Sequence, residues 1–160
     1  MSEQHDGNEG HSGIRVIPPF ILVPALLIAL VLDWIWPSRV GLPDALRWLI
    51  GFCLLVSPFL FLPSIVAAFR RAQTGFDVRQ VPQSLVTEGL YRYSRNPIYV
   101  LLIAFTAGVG LIINNPWIFL TLVPAIAFLH VAVVLPEEAV LENRFGQDYL
   151  DYKRRVRRWI

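Results

Sequence analysis

Long runs without a charged side chain alternate with short charged segments along this chain. The first run, Val16–Leu32, carries on through Trp34 and Trp36 and predicts a span over about 16–36. The second, Trp48–Phe69, predicts a span over 48–69. A third tract, Asn96–Leu135, is too long for one simple crossing, and Asn114-Asn115-Pro116 breaks it near its middle as a turn signal does. It therefore predicts two spans, 97–113 and 117–135. A helix crosses the hydrocarbon of a bilayer with about 20 residues, in a range of roughly 17–25. Backbone groups in lipid have no water to bond, so spanning runs of this kind must be helices. The expected fold class is all-α, a polytopic membrane protein with four transmembrane helices and a C-terminal amphipathic helix.

Composition agrees with this pattern. Of 160 residues, 55% are hydrophobic and only 16% are charged, where a soluble domain carries about a quarter. The placement of lysine and arginine then sets the orientation. Arg70, Arg71, Arg79, Arg92 and Arg95 follow the second span, Arg144, Lys153, Arg154, Arg155, Arg157 and Arg158 follow the fourth, and Arg15 precedes the first. The other side has only Arg39 and Arg47. Four spans bring the rich segments to one side, which is expected to be cytoplasmic together with both termini. Trp34, Trp36, Trp48 and Trp117 stand near span ends, where indole rings favour the interface. A net charge of +2 calls for no nucleic acid, and the basic tail is better suited to anionic lipid headgroups.

Residues 1–13 are polar, with acids and His5 and His11 but no basic stretch, so they predict a disordered tail and no signal peptide. Residues 14–160 then form a single domain. Cys53 is the only cysteine and lies inside the second span, so neither an internal disulfide nor a metal site is expected. Pro24, Pro58, Pro63 and Pro124 fall inside spans and can bend them.

Two segments on the basic side, 81–99 and 136–160, carry more chemistry than a connector needs. The first gathers Tyr91, Arg92, Tyr93, Arg95 and Tyr99 around the start of the third span. There Asn96 is placed to cap the helix and Pro97 to occupy its first position. The second opens with Pro136-Glu137-Glu138. It continues with Leu141, Phe145, Tyr149, Tyr152, Val156 and Trp159 at helical spacing, a single apolar stripe that Gly146 can interrupt. Such a helix would lie on the membrane or fold over the mouth of the bundle.

Thr87-Glu88-Gly89-Leu90-Tyr91, Arg95-Asn96-Pro97-Ile98-Tyr99, Glu137-Glu138, Phe145-Gly146-Gln147-Asp148-Tyr149 and Tyr152-Lys153-Arg154-Arg155-Val156 occur in that order. The ordered set resembles the isoprenylcysteine carboxyl methyltransferase family and the related phospholipid methyltransferases, from about Gln83 to Trp159. The resemblance implies a membrane methyltransferase that uses S-adenosyl-L-methionine, held at the basic ends of the last two spans and by the C-terminal segment. It implies cofactor contacts from Tyr91, Asn96, Pro97, Ile98 and Tyr99, with Glu137 opposite, and from Gln83, Ser84, Leu85 and Val86 ahead of the turn. Arg95 and Glu138 complete the boxes. Asn96 stands where the family has histidine, Leu90 and Arg157 where it often has proline, and Leu101 where glycine often follows the box.

These residue types suit that cofactor. A carboxylate such as Glu137 can accept from ribose hydroxyls or an amine, or attract a sulfonium. Arg95 can pair with a carboxylate in a forked geometry, tyrosine faces can meet a cation, and backbone donors at a helix start favour an anion. An amide at Asn96 can donate but cannot be protonated. The motif segments contain no histidine, and His130, in the fourth span, is the only buried histidine that could serve as a base, with a structural hydrogen bond its expected role. No catalytic base is assigned, which suits a carboxylate acceptor that needs none. The expected substrate is lipid-like or prenylated and lies within the bilayer. Two alternatives stay open, a sterol-reductase-like enzyme using a nicotinamide cofactor and a non-catalytic membrane subunit on the same scaffold.

Overall fold

The computed structural model describes residues 17–73 and 83–160. The expected tail 1–13, Val16, Arg79 and the opening of the 81–99 segment lie outside the described residues. Helices make up the regular structure of the rest: α1 (Pro19–Ile35), α2 (Asp44–Arg71), a 3-10 turn (Gly89–Arg92), α3 (Pro97–Ile112), α4 (Trp117–Leu129), α5 (Leu135–Phe145) and α6 (Gln147–Arg155).

Local chemistry explains the boundaries. α1 and α3 open on a proline at a first-turn position, whose missing N–H is an orphan there anyway. α2 carries Asp44 in its first turn and Arg70 and Arg71 in its last, each sign complementing the helix dipole. It is longer at both ends than the expected 48–69 span, because Arg47 is accommodated inside it. Pro58 leaves the carbonyl of Leu54 without its helical donor, and Ser57 Oγ donates to that oxygen at 2.8 Å. This is how a proline is tolerated within an apolar helix.

The fourth run differs most from expectation. It does not stop at Leu135. One continuous helical rod runs Trp117–Phe145, 29 residues, through a π-turn at His130–Val134 where the Leu135 N–H bonds the His130 carbonyl. The cause lies one residue on. Pro136 has no N–H for the carbonyl four residues back, and its ring would crowd that group. A widened turn just before the proline spares the helix a break. The predicted amphipathic C-terminal helix is divided as well. Gly146, at φ +50°, separates α5 from α6, and α6 ends at Val156, whose backbone is extended.

Packing pairs α1 with α4 and α2 with α3. In the first pair, Ile21, Leu22, Ala25 and Ala29 meet Ile118, Leu122, Ala125 and Leu129. In the second, the backbones nearly touch. A Cβ on Gly108 would stand 2.7 Å from Leu55 N and 2.9 Å from Gly51 O, so only glycine permits this crossing. Outward-facing apolar side chains cover the bundle, among them Phe20, Phe59, Leu60 and Val123, each about two-thirds exposed or more. α2 and the Trp117–Phe145 rod are long and apolar enough to cross a membrane, and α1 and α3 are shorter apolar helices.

The end of the bundle where α3 finishes is closed by side chains that serve the backbone. Arg47, 7% exposed, donates from Nη1 to the carbonyls of Leu111 (2.7 Å) and Ile112 (2.9 Å). Asn115 donates to Ala29 O at 3.1 Å and accepts from Trp117 N at 2.9 Å. Asn114 accepts from Val40 N at 2.9 Å.

Candidate functional site

At the opposite end, α3 begins beside the first turn of α5. Tyr99 and Glu137 face each other across that junction, and the Tyr99 hydroxyl donates to Glu137 Oε2 at 2.8 Å. Glu137 sits just past the apolar part of its rod. Burial pushes its carboxyl above the usual carboxylate range, with the neighbouring Glu138 acting the same way and the Tyr99 hydrogen bond opposing both. Tyr91 joins them from the 3-10 turn. Its ring meets Phe69 of α2 edge-on at 5.7 Å. Burial raises its phenol far above the ordinary value, and the charges of Glu137 and Tyr152 add to the shift. Gly89 opens that turn at φ +60°, which a side-chain-bearing residue adopts only with strain.

Glu138 has a separate set of partners. Its side chain is 7% exposed and takes a forked pair from Arg158, Nε to Oε1 and Nη2 to Oε2, both at 2.9 Å. Arg95 Nη2 reaches the same Oε1 at 3.3 Å. The C-terminal segment that carries Arg158 crosses the mouth of α3. There the Arg95 N–H donates to Arg157 O at 2.9 Å and the Asn96 amide to Arg158 O at 3.0 Å. Asn96 therefore does not cap α3 with its side chain as expected. That amide is drawn instead to a carbonyl 62 residues away.

α6 completes the cover. The Tyr152 hydroxyl donates to Tyr91 O at 2.8 Å. Tyr149, 1% exposed, lies beside Arg95, and burial together with Glu138 pushes its phenol up to about 12. Arg95 Nε and Nη1 are buried without an acceptor at hydrogen-bonding geometry, unused donors in the wall of the site.

Of the residues expected to touch a cofactor, Tyr91, Arg95, Asn96, Tyr99, Glu137 and Glu138 gather here. Pro97 is buried in the first turn of α3, and Ile98 packs against the core. Ser84, Leu85 and Val86, which follow Gln83, are placed elsewhere. Ser84, Leu85 and Val86, with Thr87, Glu88, Ala68, Arg71 and Ala72, line a pocket of about 190 Å³ against the end of α2. Ser84 Oγ donates to Ala72 O within it. The Glu88–Tyr91 turn links pocket and cluster. Sequence reading missed Arg158, Tyr149 and Tyr152 as parts of the site. The helical spacing of Tyr149 and Tyr152 marked them as part of one apolar stripe, whereas nothing local distinguished Arg158 from the arginines around it.

Taken together these features define an α-helical protein with an apolar exterior and a carboxylate–tyrosine cluster at its basic end. A family model described as phospholipid methyltransferase matches residues 46–148. The chain belongs to the phospholipid methyltransferase family, and this membership with its apolar helices makes it a membrane methyltransferase by class. The match covers α2 through the start of α6, and so includes every expected site residue. No curated protein matches the chain.

Proposed function

We propose that this chain transfers a methyl group from S-adenosyl-L-methionine to a lipophilic or lipid-anchored acceptor, at the cytoplasmic face of a membrane it spans four times. The observation that carries the reading is the Tyr99–Glu137 pair beside Tyr91 at the basic end of an apolar bundle. The donor set fits the cofactor. A carboxylate flanked by tyrosines suits a sulfonium and an α-amine, since the aromatic faces attract a cation and the carboxylate accepts from the amine or ribose hydroxyls.

When bound, S-adenosyl-L-methionine supplies an electrophilic methyl carbon on a neutral leaving group. The protein's work is then alignment and exclusion of water. Glu137 and the tyrosines hold the cationic part, and the apolar side of the junction admits the acceptor from the bilayer. Methyl transfer there would pass the methyl carbon to an acceptor lone pair and leave the carbon–sulfur electrons on sulfur. A carboxylate acceptor needs no base, while a phospholipid amine must arrive deprotonated. A prenylated carboxylate, a phospholipid amine and another isoprenoid all remain within this substrate class. Asn96 in place of histidine is compatible with activity, because its amide has a task that requires no proton transfer, the bond to Arg158 O. Exposed Arg154, Arg155 and Arg157 suit contact with anionic headgroups.

Calorimetry with S-adenosyl-L-methionine and detergent-purified protein tests the reading. Glu137→Ala is expected to weaken binding about 10- to 100-fold, the worth of a hydrogen bond to a charged group. Tyr99→Phe is expected to weaken it only several-fold. Folded wild-type protein that binds no S-adenosyl-L-methionine would overturn the proposal.

A further inference from the structure

The C-terminal residues Val156–Trp159 do two things at once. Their backbone is bound to the mouth of α3 through Arg95 N–H, Asn96 Nδ2 and, at 3.4 Å, Ser94 Oγ. The Arg158 side chain is bound to α5 through the forked pair with Glu138. Trp159 packs on the core beneath, with its ring 6.1 Å from His130. α3 and α5 are the two elements that supply Tyr99 and Glu137. Asn96 precedes Tyr99 by one helical turn, and Glu138 adjoins Glu137. Consecutive helix residues point about 100° apart, so holding Glu138 fixes the rotation of the turn from which Glu137 projects.

We infer that Val156–Trp159 form a strap latched by Arg158 on Glu138, and that Arg158 is a positioning residue which sets the spacing of Tyr99 and Glu137 across the site. The strap part stands on these contacts alone, and the positioning part rests on the methyltransferase reading of the Tyr99–Glu137 pair. Arg158 touches neither member of that pair and acts through Glu138 and the mouth of α3. The planar fork explains the choice of residue. Lysine would keep the charge but could not span both carboxylate oxygens. Arg95, 8% exposed, shares Glu138 and would lose its carboxylate order if the strap lifted.

Two readouts separate the two parts. The first is deuterium exchange at the Arg95 amide, which the strap covers through Arg157 O. The second is the calorimetric Kd for S-adenosyl-L-methionine. Arg158→Ala is expected to speed exchange at Arg95 about tenfold or more and to weaken cofactor binding by a similar factor. Arg158→Lys should fall between, and it carries the test if the alanine variant does not fold. Arg144→Ala, which removes an exposed arginine of α5, should change neither. Unchanged exchange in Arg158→Ala and Arg158→Lys would overturn the strap whatever the cofactor does. Faster exchange with unchanged Kd would overturn the positioning role. Wild-type protein that binds no S-adenosyl-L-methionine would sink the methyltransferase reading and the positioning role with it, while exchange would still decide the strap.

Discussion

Arginine appears at both ends of the bundle and does different work at each. Where α3 finishes, Arg47 and Asn115 give their donors to main-chain carbonyls of Leu111, Ile112 and Ala29. Where α3 begins, Asn96 likewise gives its amide to a main-chain oxygen, Arg158 O, but two carboxylates take side-chain partners, Glu137 from Tyr99 and Glu138 from Arg95 and Arg158. The first arrangement gives partners to carbonyls at the end of α3 and to Ala29 O inside α1. On the methyltransferase reading, the second leaves Glu137 with a partner that can be exchanged. A ligand with a cation and hydroxyls competes for Glu137 on equal terms with a tyrosine. On that reading, Arg47 and Asn115 hold the fold while Glu137 is free to receive a ligand.

Substitutions should divide along the same line. Arg47→Ala removes charge-assisted bonds to two carbonyls and should destabilise the protein by about 3 kcal/mol. It should lower the thermal midpoint in detergent and leave cofactor Kd unchanged for the folded fraction. A large change in Kd would break the distinction between the ends.

Acidification should act on the other end. The Glu137 carboxyl titrates above its ordinary value of 4.5, because burial and Glu138 disfavour its charge more than the Tyr99 bond favours it. A raised carboxyl pKa means that ionisation weighs against folding. This group's contribution to stability is therefore greatest below 4.5 and declines as pH rises through the folded value. Binding of a cation has the opposite sign, since it needs the carboxylate. Affinity for S-adenosyl-L-methionine should fall about tenfold as pH drops through the folded pKa, and Glu137→Gln should flatten the profile. A profile unaltered by that substitution would assign the titration elsewhere.

The smallest effect is expected at Asn115. Asn115→Ala should cost about 1 kcal/mol, as the loss of a capping side chain does, with binding untouched. Thermal unfolding in detergent measures it.

What could be read in the sequence was what local chemistry decides. Asn114-Asn115-Pro116 forms the expected turn, with Asn114 at φ +59°, and Pro97 stands at the start of α3 as the Asn-Pro pair suggests. The Tyr91, Tyr99 and Glu137 association was legible through the resemblance of their motifs. The rest depended on partners far along the chain. Arg47 looked like a stray loop charge until the end of α3, 64 residues on, was placed against it. Asn96 looked like a cap because capping is the commonest use of asparagine before a helix, and a carbonyl of the strap competed successfully for its amide. The continuity of α4 into α5 was hidden for another reason. A proline usually signals a stop, and the one-residue adjustment that avoids the stop leaves no mark in periodicity.

The unbroken Trp117–Phe145 rod has one more consequence, on the reading that places Trp117 at one face of the bilayer. From Trp117 to Glu137 is 20 residue steps. At about 1.5 Å per step this is roughly 30 Å, the depth of the hydrocarbon. The rod is then a measuring stick. It sets the acid at the boundary between tails and headgroups, the height at which the polar end of an amphiphile stands. A rod one turn shorter would keep every motif and draw the acid about 5 Å into the oil. In a thicker membrane the same protein would have to pull the surrounding lipid thinner to bring acceptor and acid level.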